Sequence, residues 1–127
     1  MKKSVILYSF SLVILVIILH SCKKQEVPIV TTSAITNITG STATSGGTIT
    51  NEGTSTVIAR GICWSTGITP TLTDNKTSDG AGAGTFVSNM SNLNPATTYY
   101  VRAYATNKVG TGYGMTMSFS LIFKSSS

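Results

Sequence analysis

From Val27 onward, short runs rich in threonine, valine, isoleucine and tyrosine alternate with turn-forming clusters, at a spacing of roughly 8–12 residues. Asn51-Glu52-Gly53, Thr66-Gly67, Asp79-Gly80 and Asn94-Pro95 are such clusters, because asparagine, aspartate and glycine accept the backbone angles that turns require. Branched and aromatic side chains fit a pleated sheet better than a helix, and helical periodicity is almost absent. An all-β fold follows. Strands are expected over 28–37, 42–50, 57–65, 84–91, 98–107 and 112–120, with a weak one over 75–79. The clearest pattern is in 98–106: Tyr99, Val101, Ala103 and Ala105 fall on one side, and Tyr100, Arg102 and Tyr104 on the other.

The N-terminus is of another kind. Lys2 and Lys3 precede an apolar run over 5–19, which closes on Leu19-His20-Ser21-Cys22. A bilayer span needs about 18 or more apolar residues, and this run is shorter and interrupted by Ser9 and Ser11. It has the layout of a signal peptide, and its end resembles the lipobox of bacterial lipoproteins. The resemblance implies that residues 1–21 form a signal helix that is removed, and that Cys22 is lipidated as the new N-terminus. The partner is then a membrane, held through a lipid anchor on the bacterial cell envelope, with the outer membrane as the expected address. Residues 22–27 become the lipidated tether. Two alternatives stand beside it: an uncleaved spanning helix, and an ordinary secretory signal with an incidental cysteine. Acylation on several chains would hold stably, since each buried methylene contributes about 0.8 kcal/mol.

Residues 22–127 have the size of one domain. The net charge of +5 includes Lys2 and Lys3 of the signal, and the one basic cluster beyond them is Lys23-Lys24, so no nucleic-acid partner is expected. With Cys22 acylated, Cys63 is the last cysteine and no intramolecular disulfide can form. The single histidine, His20, lies in the signal. Histidine-based nucleophilic catalysis and the usual zinc sites go with it. Glu26, Glu52, Asp74 and Asp79 are the four acids. A glycosidase needs two carboxylates across a cleft, whereas Asp74 and Asp79 share one loop. Asp74, Asn75 and Asp79 could offer oxygens to calcium, but their spacing is not that of an EF-hand and turn chemistry accounts for them. Gly80-Ala81-Gly82-Ala83-Gly84 lacks the helix and lysine of a phosphate loop. No enzyme activity, cofactor or metal is expected.

The spacing of Leu93, Pro95, Thr97 and Tyr99 is similar to that of the entry to strand F in fibronectin type III domains. Ala59-Arg60-Gly61-Ile62-Cys63-Trp64-Ser65, Pro70-Thr71, Asp74 to Gly80, and Tyr99 to Asn107 followed by Gly110-Thr111-Gly112-Tyr113-Gly114 resemble fibronectin-III-like repeats of bacterial surface lipoproteins. The resemblance implies an immunoglobulin-like β-sandwich of about seven strands over 28–120. It also gives Tyr99 the role of a corner tyrosine, whose hydroxyl bonds backbone a few residues upstream. Leu93 and Pro95 are structural parts of the same corner. The chain departs from the pattern in carrying one repeat, and in its ending. Residues 121–127 match no familiar terminus and are expected to be a tail with little share in the core, a truncation being one reading of it.

Trp64 and Cys63 alternate, so one is expected inside and one outside, and pattern alone does not say which; Trp64 is the core choice because a large aromatic is the main payload of a small core. Tyr100, Arg102 and Tyr104 are expected to form a flat exposed strip, the candidate binding face. Tyrosine and arginine are prominent among interface anchors. The functional expectation is a non-enzymatic, membrane-anchored module binding an extracellular protein or glycan in adhesion. A structural spacer, or an accessory module of a longer surface enzyme, is the alternative.

Overall fold

Runs of threonine and valine between glycine-bearing turns produce eight strands in the computed structural model, which describes residues 24–122. They are β1 (Ile29–Thr32), β2 (Ala43–Asn51), β3 (Ala59–Ser65), β4 (Asn75–Lys76), β5 (Gly84–Met90), β6 (Thr98–Thr106), β7 (Thr111–Tyr113) and β8 (Met117–Ser120). The expected signal segment, Cys22 and residues 123–127 lie outside the described residues. Among the described residues, no helix is long and apolar enough to cross a membrane. The strands form two antiparallel sheets, one ordered β1-β2-β5 and the other β4-β3-β6-β7, with β8 also paired to β6. This is an all-β sandwich, as the alternation predicts.

Period-2 patterning determines which side chains meet between the sheets. Val30, Ile49, Phe86 and Met90 from the first sheet pack with Ile62, Trp64, Tyr99, Val101, Ala103, Ala105 and Phe119 from the second. Gly47 is part of this fit. A Cβ there would stand 2.7 Å from Ala103 Cβ and 2.8 Å from Thr31 O, closer than side chains tolerate in a packed interior.

Two expected strands are shorter than their sequence runs. β1 stops at Thr32, and the chain rejoins β2 through one bridge between Thr36 and Thr44. The expected strand over 112–120 is split into β7 and β8. Thr32 is the reason: its hydroxyl accepts from Ala103 N at 3.0 Å and donates to Met115 O at 2.7 Å. A side chain of the opposite sheet thus takes a ladder position on β6, and the chain between β7 and β8 bulges around it, with residues 114–116 facing 102–103.

The chain end also differs from expectation. Leu121 is 4% exposed and belongs to the core cluster. Its N–H donates to Thr97 O at 3.0 Å, and Ile122 N donates to Thr39 O at 3.1 Å. The packed domain therefore extends beyond 120. Alternation ends at β8, but the chain still has to close the pole between two loops, and Leu121 plugs it.

Candidate functional site

The outer face of the second sheet carries the expected strip, but not as an open surface. The loop after β3 folds back over it: Pro70 is buried, and Arg102 Nε donates to Pro70 O at 2.6 Å. The Arg102 guanidinium lies 3.7 Å from the centre of the Tyr113 ring, within the range of a cation–π contact. Tyr113 in turn accepts from Leu72 N through its hydroxyl at 3.3 Å. The Nη nitrogens of Arg102 donate to no described oxygen, and Tyr100 beside it is half-buried.

Tyr104 departs from the expected strip. It is 3% exposed, and its hydroxyl donates to Thr77 O at 2.5 Å. Burial, followed by the negative charge of Asp79, pushes its phenol above the ordinary tyrosine range. Alternation does place Tyr104 opposite the core, but the segment after β4 covers that outer position. The ring that flanks Arg102 is Tyr113, from β7. Sequence reasoning missed it because Tyr113 reaches this face through cross-strand register, opposite Tyr104.

Cys63 and Trp64 are both buried, at 0% and 7% exposure, although one of them was expected outside. Trp64 belongs to the core between the sheets. Cys63 faces the other way, under β4 and beside Arg102, with Lys76 and Arg102 as its strand neighbours. Burial pushes its thiol up, and the Arg102 charge opposes this with a smaller effect.

At the entry to β6, the Tyr99 hydroxyl accepts from Asn94 N at 2.9 Å, and its ring stacks on Phe119 with centroids 5.9 Å apart. Leu93 is buried below the corner, and its N–H donates to Ser41 O at 3.0 Å. Pro95 is exposed, and Thr97 Oγ1 donates to Pro95 O at 3.0 Å. The loop acids are held by the protein itself: Asp74 Oδ2 accepts from Thr71 N at 2.8 Å within its turn, and Asp79 Oδ2 accepts from the Thr77 hydroxyl and from that of Ser88 on β5. Among the described residues, no group of three acidic, histidine or cysteine side chains is placed to hold a metal.

Asn107, which sequence reasoning did not single out, ties together the pole where the chain enters. Its Nδ2 donates to Glu26 O at 3.0 Å, Glu52 O at 2.9 Å and Ser55 O at 3.4 Å. Its Oδ1 accepts from Val109 N at 2.9 Å and Gly110 N at 3.2 Å. The turn half of this set was legible in Asn107-Lys108-Val109-Gly110. The carbonyl half, from residues 52 to 81 positions away, was not.

No family model and no curated protein matches the sequence. Solved structures do resemble the fold. The sensor domain of the anti-sigma factor RsgI4 of Pseudobacteroides cellulosolvens superposes with a TM-score of 0.58 at 13% identity, over 78% of this chain and 98% of that one. The FN1-FN3 domains of chicken CNTN1 give 0.56 at 17% identity, over 78% of this chain and 33% of theirs. A fibronectin type III domain from human KIAA0970 protein gives 0.50 at 12% identity, over 77% and 76%. Two antiparallel sheets in this strand order, with these structural neighbours, make the described part of the chain a fibronectin type III-like β-sandwich.

Proposed function

We propose that the chain is a membrane-anchored lipoprotein, held through Cys22, whose sandwich binds an extracellular protein or glycan on the outer face of its larger sheet. The observation that carries this reading is the Arg102–Tyr113 stack, with the guanidinium 3.7 Å from the ring centre and its Nε tied to Pro70 O. A cation held in place this way loses little freedom when it meets a ligand, which is what makes a preorganised anchor effective. Tyr100 extends the patch along β6, and aromatic rings beside an arginine suit the flat faces of sugars and peptide groups.

A second reading is favoured by the Tyr104 and Arg102 bonds themselves. Both side chains are engaged by the protein's own loops, as a spacer without a ligand would also have them. A glycan and extracellular-protein array distinguishes the two. The probes are the wild type and a Tyr100→Ser, Arg102→Gln double variant matched for cooperative unfolding. Spots bound by the wild type and lost by the variant support the binding reading. Identical profiles leave the spacer.

A further inference from the structure

Glu26 stands four residues after Cys22, and its backbone is fixed at one pole of the sandwich. Its N–H donates to Thr54 Oγ1 at 3.1 Å, while its carbonyl accepts from Thr54 N at 3.2 Å and from Asn107 Nδ2 at 3.0 Å. A lipidated Cys22 is thus joined to a fixed point by four residues, which reach about 14 Å at full extension. The long strands span about 30 Å at nine residues each. The far pole, where β6 begins and Leu121 ends the core, is therefore out of reach of the anchor.

The near pole is made by the start of β1, the β2–β3 loop and the β6–β7 turn. Ile29 is 57% exposed and Ile58 63% exposed there, with Val27 at 38%. Lys24 and Lys108 are exposed beside them; of the acids at this pole, Glu26 is exposed as well and Glu52 turns one carboxylate oxygen inward onto Val57 N at 2.8 Å. Apolar side chains flanked by lysines suit the boundary between lipid headgroups and acyl chains, where the apolar parts gain burial and the ammonium groups meet phosphate.

We propose that this pole, with Ile29, Ile58, Lys24 and Lys108, lies against the surface of the bilayer that holds the chain's own anchor. The inference rests on the lipoprotein reading above and adds the orientation. The Asn107 and Thr54 bonds to Glu26 leave only the residues before it as tether. The far pole then faces away from the membrane, and the Arg102 face stands along its side.

The test uses the full chain expressed with its N-terminal segment and reconstituted into phosphatidylethanolamine and phosphatidylglycerol vesicles. A fluorophore is placed at Lys108→Cys or, at the far pole, at Ser91→Cys; Cys63 is fully buried and stays unlabelled. Quenching by headgroup spin-labelled lipid is read for both, and the mass of the N-terminal peptide is measured on the same sample. Several-fold stronger quenching at 108 than at 91 is expected. Equal quenching on acylated protein, or stronger quenching at 91, overturns the orientation and leaves the anchor intact. An N-terminal peptide without acyl chains removes the anchor reading, and the orientation with it.

Discussion

Asn107 is 2% exposed and makes five hydrogen bonds, three to carbonyls of two other stretches of backbone and two to N–H groups of its own turn. In Asn107→Ala the Val109 and Gly110 N–H groups and the Glu52 carbonyl lose their partner, whereas Glu26 O keeps Thr54 N. Each unsatisfied buried group costs about 1–3 kcal/mol. Water can reach part of a pole, so the low end applies, and the three groups together cost about 3 kcal/mol. Set against a domain stability of about 5–15 kcal/mol, that is a large loss, lowering the melting temperature by about 12–24 °C at this size. Asn107→Asp is the sharper probe. It keeps an acceptor for the turn but aims a second carboxylate oxygen at the carbonyls that Nδ2 now serves. Repulsion there raises the folded-state pKa above the unfolded value of about 3.9. A raised acid binds more protons folded than unfolded, so stability is greatest below the unfolded pKa and falls as pH rises through the folded one. Urea unfolding of wild type, Ala and Asp variants between about pH 4 and about pH 8 reads this linkage directly. An alanine variant within about 1 kcal/mol of wild type refutes the hub, since surface changes cost less than that. So does an aspartate variant with the pH profile of wild type.

Tyr99→Phe removes the acceptor of Asn94 N and is expected to cost about 1–3 kcal/mol, with Tyr100→Phe much milder; equal urea midpoints would discard the difference. Leu121→Ala opens the core at the far pole and should cost about 2–5 kcal/mol by thermal unfolding, so an unchanged melting temperature would return Leu121 to the status of a tail. Cys22→Ala is expected to leave the fold cooperative while moving the protein from the membrane to the soluble fraction. Continued full partitioning into detergent, without fatty-acid labelling of the wild type, would favour a spanning segment instead.

The parts of the fold that local pattern encodes were readable from the chain alone. β6 shows its buried face as Tyr99, Val101, Ala103 and Ala105 because a pleated strand repeats every two residues. The features that escaped are set by residues distant in sequence. Thr32 meets Ala103 across 71 positions and splits a run that looks continuous. Tyr104 has the pattern of an exposed residue and is buried because a loop near Thr77 happens to cover it. Tyr113 joins Arg102 through register, and Leu121 fills a pole rather than a strand position. Period and turn chemistry describe one element at a time, whereas a candidate site is made where elements meet.

The Thr32 hydroxyl also has a mechanical meaning. A load applied between the pole where the chain enters and the far pole pulls β1 along β2, and β8 along β6, parallel to the strands. Every ladder bond in each pair then has to yield together, instead of opening one after another from an end. Thr32 sits on the line between the two pulled strands, joined to Ala103 on β6 and to Met115 at the root of β8. One side chain thereby makes the two sheets share the strain, and a Thr32→Val sandwich should part at lower force, with β1 detaching first.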